Sequence, residues 1–121
     1  MSTFTYIAPV FRVEDLTRSL AFYRGGLGFE VEFCYEGFYA SVCRDGCRIH
    51  LKCAPAAARD TTQTDDLDAC VVVESAAAPS ESPASAGVAF AVPLRSAPYG
   101  TEFYVRDPDG CLLGFVEPAS A

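Results

Sequence analysis

The sequence predicts an α+β fold made of two tandem βαβββ modules, whose curved mixed sheets surround a groove. Residues 101–117 form a strand, a tight turn at Asp107-Pro108-Asp109-Gly110 and a second strand. Residues 38–51 repeat this order, with an aromatic pair, a valine, Arg-Asp, Gly-Cys and an apolar strand. A repeated hairpin in 121 residues indicates two related halves. We therefore expect one domain over 1–121, with module one at about 5–53, a connector at 54–64 and module two at about 65–118.

Module one starts with a predicted strand at 6–13, in which Pro9 marks an edge or a bend because it has no amide donor. A helix opens at Glu14 and ends at the glycine pair 25–26. Its apolar stripe consists of Leu16, Leu20, Tyr23 and Leu27. A half-exposed strand at 29–35 and the first hairpin complete the module.

Module two repeats the pattern, with strands at 68–73 and 88–92, a loop at 96–100 and the second hairpin. Residues 75–86 stand where the helix should repeat. Their alanines and two prolines indicate either a short helix or a partly disordered segment. The concave sheet faces then enclose a groove suited to a small ligand.

The composition excludes some functions. A net charge of −7 argues against nucleic acid as the main partner, and no apolar run is long enough to cross a membrane. The start lacks a secretory signal, so we expect a cytoplasmic protein. The six cysteines lie mostly in apolar strand patterns, which favours free thiols over disulfides. Cys43 and Cys47 flank the first turn and are expected to face each other across it.

Three stretches resemble the vicinal-oxygen-chelate superfamily, which includes glyoxalase I, ring-cleaving dioxygenases, fosfomycin-resistance enzymes and bleomycin-resistance proteins. They are APVFRVEDL at 8–16, LAFY at 20–23 with LGF at 27–29, and PYGTEF at 98–103 followed by RDPDG at 106–110. The resemblance covers nearly the whole chain. It implies the paired-module fold, but one fold hosts several chemistries.

The resemblance also implies where a metal would be held, at positions Ala8, His50, Asp68 and Gly114. Ala8 and Gly114 have no donor side chain. His50 and Asp68 remain as candidates for a weakly bound ion, fewer than the three protein ligands of a catalytic zinc. We therefore expect no metal cofactor and no catalytic residue.

Within the superfamily, the chain most resembles the bleomycin-resistance proteins. That resemblance implies a non-catalytic homodimer that sequesters a planar drug in grooves at the subunit interface. Pro9 would permit exchange of the first strand between subunits. Phe38 and Tyr99 would sandwich the ligand, with Tyr99 where proven binders usually have Trp.

The polar residues Arg48, His50 and Glu102 complete the expected ligand-binding set. Alternation places Arg48, His50 and Lys52 on one face of the strand at 47–53. The two basic residues either favour an anionic ligand or extend to solvent. His50 is a general base, an orienting donor or a groove-lining residue, and Glu102 is placed to meet a ligand cation.

The resemblance and the residues at these positions together predict a metal-independent protein that binds a planar or aromatic, bleomycin-like molecule at a dimer interface, without nucleic-acid or membrane partners. Two alternatives stay open. One is a metal-dependent glyoxalase- or dioxygenase-type enzyme with a non-standard ligand set. The other is a metabolite-binding module with no role in resistance.

Overall fold

A computed structural model describes residues 2–55, 58–77 and 88–120. Module one contains β1 (Val10–Val13), helix α1 (Leu16–Ala21) with a π-helical turn (Phe22–Gly26), β2 (Glu30–Tyr35), β3 (Tyr39–Arg44) and β4 (Cys47–Cys53). Module two contains β5 (Ala69–Val72), β6 (Phe90–Ala97), β7 (Gly100–Arg106) and β8 (Leu112–Pro118). The segment at 75–86 was predicted to be a short helix or partly disordered, and its residues 78–86 lie outside the described residues.

The two modules share one topology. The first sheet has the strand order β1-β4-β3-β2, and the second sheet has the equivalent order β5-β8-β7-β6. In each sheet the first strand of the module pairs in parallel with the last strand, and the other pairs are antiparallel. The predicted α+β fold with two related mixed sheets is therefore confirmed.

Several predicted boundaries were wrong. The first strand begins at Val10, directly after Pro9, because proline donates no ladder hydrogen bond. Helix α1 begins at Leu16, since the Asp15 carboxylate caps it by accepting from the Arg18 amide at 3.1 Å. Strand β6 extends to Ala97, so the predicted loop at 96–100 is only a tight turn.

The cysteine at position 43 does not face Cys47, contrary to the sequence-based prediction. Asp45 and Gly46 form a two-residue turn with φ values of 52° and 80°, which pairs Arg44 with Cys47 and Cys43 with Arg48. All six cysteines lie among the described residues and are free thiols. No helix in the described parts of the chain is long and apolar enough to cross a membrane.

Both sheets contribute to one hydrophobic core. Ile49 and Leu51 of β4 belong to the same buried cluster as Phe103 and Val105 of β7, together with the apolar stripe of α1. Residues that alternate with these core positions lie on the opposite side of each sheet, because successive strand side chains point to opposite faces. We call these the outer face of the first sheet and the outer face of the second sheet.

The β7–β8 turn ties α1 to the second sheet. The Asp107 carboxylate accepts hydrogen bonds from the amides of Asp109 and Cys111 and from the Tyr23 hydroxyl, at 2.8–2.9 Å. Asp109 accepts from the Glu14 amide at 3.0 Å and from Arg18 at 3.1 Å. Burial raises the pKa of Asp107 despite these hydrogen bonds. Both aspartates therefore serve the turn and the helix.

Candidate functional site

His50 lies at the centre of the outer face of the first sheet, between two tyrosines. The Tyr39 hydroxyl is 2.8 Å from Nδ1, and the Tyr6 hydroxyl is 3.2 Å from Nε2. The Phe33 ring meets the imidazole edge-on, with 5.7 Å between ring centroids. Both ring nitrogens therefore have partners within the chain, and the imidazole is held by aromatic side chains.

Arg48 lies beside His50, and its charge is compensated. Its guanidinium forms an ion pair with Glu32 at 2.9 Å, and the same carboxylate accepts from the Ser41 hydroxyl at 2.9 Å. The hydrogen bonds from Ser41 and Arg48 lower the pKa of Glu32. Lys52, by contrast, is exposed. The negative charge of Glu32 balances the positive charge of Arg48. This pairing weakens the sequence-based argument that Arg48 favours an anionic ligand.

Phe38 lies in the turn before β3, at one end of the first sheet. Its side chain is 45% exposed. The ring meets Tyr35 edge-on at 5.4 Å between centroids, and Tyr35 is also exposed. The two rings form an apolar surface that is open to an aromatic partner.

Glu102 forms a network on the outer face of the second sheet, and it is fully buried. Its Oε1 accepts from the hydroxyl groups of Tyr99 at 2.6 Å and Tyr104 at 3.0 Å. Its Oε2 forms an ion pair with Arg95 at 2.7 Å. With both oxygens engaged, Glu102 positions Tyr99 and Arg95 instead of presenting a free carboxylate to a ligand cation.

This network shifts two pKa values and leaves an aromatic ring at the surface. Burial opposes ionisation of Glu102, but the hydrogen bonds from Tyr99, Arg95 and Tyr104 outweigh it and lower its pKa. The hydrogen bond to Glu102 raises the pKa of Tyr99. The Tyr99 side chain is 52% exposed. Tyr99 is therefore held by its hydroxyl while much of its ring is accessible.

Arg95 was not among the residues that the sequence predicted for the site. Its partner Glu102 lies directly opposite it in the β6–β7 ladder, and opposite charges across a strand pair are a recognisable signal. The register of β6 shifts twice, between Phe90 and Val92 and between Val92 and Arg95. These irregularities break simple alternation, so the pairing was not readable from the sequence.

The Glu102 network predicts a defined loss of stability in acid. A carboxylate whose folded pKa lies below its usual value of 4.5 stabilises the fold above pH 4.5 and loses that contribution as the pH falls through the folded pKa. Asp107 has the opposite sign in the same range, because its pKa is raised from 3.8. The test is therefore the difference in free energy of unfolding between the wild type and Glu102→Gln, from urea titrations at several pH values. We expect this difference to shrink below pH 4.5, and a constant difference would contradict the prediction.

The positions that would hold a metal in related proteins do not fit one here. The Asp68 carboxylate forms two hydrogen bonds with Arg59, at 2.9 and 3.0 Å, and accepts from the Leu112 amide at 2.7 Å. A Cβ at Gly114 would stand 2.7 Å from Leu67 Cδ1 and 3.1 Å from Tyr104 Cε1, so neighbouring side chains fill this position. The ring nitrogens of His50 are engaged as described. Among residues 2–55, 58–77 and 88–120, no three His, Cys, Asp or Glu side chains are grouped to hold a metal ion.

The five expected ligand-binding residues fall into two sets within one chain. Arg48 and His50 lie on the outer face of the first sheet, with Phe38 at its end. Tyr99 and Glu102 belong to the second sheet. His50 alternates with core residues Ile49 and Leu51, and Glu102 precedes core residue Phe103, so both point away from the core that the sheets share.

Comparisons with known proteins identify the family to which this chain belongs. The sequence model of the Glyoxalase/Bleomycin resistance protein/Dioxygenase superfamily matches residues 4–115. The chain belongs to this superfamily. A comparison with curated proteins finds no match.

Solved structures share the fold over nearly the whole chain. The bleomycin-binding protein from bleomycin-producing Streptomyces verticillus, complexed with copper(II)-bleomycin, is 26% identical with a TM-score of 0.72, covering 98% of this chain and 100% of that one. A glyoxalase/bleomycin resistance protein/dioxygenase from Alicyclobacillus acidocaldarius has a TM-score of 0.80 at 15% identity, covering 94% and 91%. TnmS3, an antibiotic binding protein from Streptomyces sp. CB03234, has a TM-score of 0.65 at 19% identity, covering 94% and 97%. The last two support the fold alone.

Proposed function

We propose that this superfamily member binds a small planar or aromatic molecule without a metal, in a groove formed between two copies of the chain. The outer face of the first sheet of one copy would form one wall. The outer face of the second sheet of the other copy would form the opposite wall. Phe38 and Tyr99 would then flank the ligand from the two sides.

The observation that carries this proposal is the presence of half-exposed aromatic rings at the ends of both sheets. Tyr35, Phe38 and Tyr99 are 58%, 45% and 52% exposed. Exposed aromatic side chains that are held in place by neighbouring residues are typical of sites that bind a planar ligand or a protein partner. The likeness to a bleomycin-binding protein at 26% identity supports a ligand of that class.

The poor fit of the metal positions supports binding over catalysis. A glyoxalase- or dioxygenase-type reaction in this fold would need a Lewis acid, and Asp68 and Gly114 are engaged or filled. Elemental analysis of the purified protein tests this point. Stoichiometric zinc, nickel, manganese or iron would favour the alternative of an enzyme with a non-standard ligand set.

Titration with copper(II)-bleomycin, followed by calorimetry, tests the ligand class. We expect saturable binding with one ligand for each chain, and a dimer by light scattering. A monomer that still binds would overturn the groove between copies. A dimer that binds no copper(II)-bleomycin would favour the metabolite-binding alternative.

The Phe38→Ala variant should weaken copper(II)-bleomycin binding by about tenfold, because a half-exposed ring that flanks a planar ligand contributes about 1 kcal/mol or more. The fold should be unaffected, since Phe38 lies outside the hydrophobic core. Phe4→Ala is the matched control, because it also removes an exposed phenylalanine ring, and Phe4 is 94% exposed and lies before β1, outside both sheets. Equal affinities in calorimetry for the wild type and Phe38→Ala would exclude Phe38 as a groove wall.

A further inference from the structure

The N-terminal segment, residues 2–9, contacts the outer face of the first sheet through the side chain of Tyr6. The Arg48 guanidinium carbon lies 4.3 Å from the centroid of the Tyr6 ring, and this ring meets His50 edge-on at 5.9 Å. The Tyr6 hydroxyl is 3.2 Å from His50 Nε2. Phe4 and Ile7, in the same segment, are 94% and 91% exposed. Tyr6 is therefore held by a specific contact that neighbouring apolar residues do not share.

The groups that hold Tyr6 are themselves held by the sheet. The Arg48 Nε donates to both carboxylate oxygens of Glu32, at 2.9 and 3.1 Å, and the Tyr39 hydroxyl is 2.8 Å from His50 Nδ1. A cation and an imidazole placed in this way need little reordering when a ring arrives. Such preorganisation lowers the entropic cost of binding.

We propose that Arg48 and His50 form a subsite for a hydroxylated aromatic ring, and that Tyr6 is its internal occupant in the free chain. A guanidinium over a ring face attracts an electron-rich ring, such as a phenol. The imidazole Nε2 supplies the hydrogen-bond partner for the hydroxyl group. Because Glu32 balances the charge of Arg48, the subsite selects a neutral phenol-type group and does not require an anion.

This inference rests on the proposed function, since it names the chemical class that the first sheet would recognise in the ligand. A bound phenol-type ring has to displace Tyr6. The apparent affinity for such a ring is therefore reduced by the fraction of molecules in which Tyr6 is docked. Removing the Tyr6 ring should free the subsite without disturbing the sheet, because the segment at 2–9 forms no strand.

The probe is p-cresol, and the readout is the ring-proton NMR signal of His50, the single histidine of the chain. We expect Tyr6→Ala to bind p-cresol about fivefold more tightly than the wild type, as the loss of a competing cation–π and hydrogen-bond contact predicts. Phe4→Ala is the matched control, because it removes an aromatic ring from the same segment that makes no docking contact, and it should behave as the wild type. Toluene, which lacks the hydroxyl group, should bind Tyr6→Ala more weakly than p-cresol does.

Three results would overturn the subsite: no saturable shift of the His50 signal in Tyr6→Ala, equal affinities for p-cresol and toluene, or unchanged p-cresol affinity when Arg48→Gln is added to Tyr6→Ala. Copper(II)-bleomycin titrated into the same Tyr6→Ala protein separates this inference from the proposed function. Bleomycin binding without p-cresol binding would reject the subsite alone. Saturable, hydroxyl-dependent p-cresol binding without bleomycin binding would support the subsite and reject bleomycin as the ligand class.

Discussion

The Gly100→Ala variant should lose about 3 kcal/mol or more of its free energy of unfolding, the largest effect that we expect from a single methyl group. Gly100 follows the tight turn between β6 and β7 and has a φ of 149°. A Cβ there would lie 2.0 Å from the Glu117 carbonyl oxygen and 2.9 Å from the Ala119 amide nitrogen. Both are backbone atoms at the end of β8 and just after it, so β7 and β8 would have to move apart.

Urea titration of Gly100→Ala beside Gly25→Ala provides the measurement and its control. A Cβ at Gly25 would meet no atom within 4 Å, so we expect a change of about 0.5 kcal/mol or less in the free energy of unfolding. The ring of Tyr99 directly precedes Gly100, so ligand affinity should fall together with stability. Equal stability of the two variants would show that the β6–β7 turn tolerates the displacement.

The Glu102→Ala variant should lose about 3 kcal/mol of its free energy of unfolding, because a buried carboxylate and its hydrogen bonds disappear together. The hydroxyl groups of Tyr99 and Tyr104 would lose their acceptor, and Arg95 would lose its ion-pair partner. The Tyr99 ring would no longer be held by its hydroxyl. We therefore also expect weaker copper(II)-bleomycin binding under conditions in which the variant is still folded.

Glu30→Ala separates the role of the network from the loss of a strand carboxylate in general. Glu30 is an exposed residue at the start of β2, and its replacement should change stability by about 0.5 kcal/mol or less. Chemical denaturation gives the stability of both variants, and calorimetry gives their affinities. If Glu102→Ala is as stable as Glu30→Ala, the Arg95–Glu102 pair does not stabilise the second sheet.

The repeated hairpins were predictable from the sequence because their signals are local. Asp45-Gly46 and Asp107–Gly110 carry turn chemistry within two to four residues, and the flanking strands alternate or are apolar throughout. The stripe of α1 was equally clear, and three of its four residues are buried, with Leu20 packed against the core. Local conformational preferences and periodicity were sufficient for the order of the strands and of α1, whereas the superfamily followed from the resemblance of three stretches to its members.

The sequence by itself therefore determined the paired α+β modules and identified His50, Arg48, Phe38, Tyr99 and Glu102 as residues to consider. Only the tertiary structure decided how these residues are partnered. The register shift between Val31 and Phe33 in β2 and the shifts in β6 change which residues lie opposite each other, and no local signal reports them. The docking of Tyr6 on Arg48 and His50 joins residues more than 40 positions apart. Such contacts depend on how strands meet across the sheet, which is a property of the packed chain.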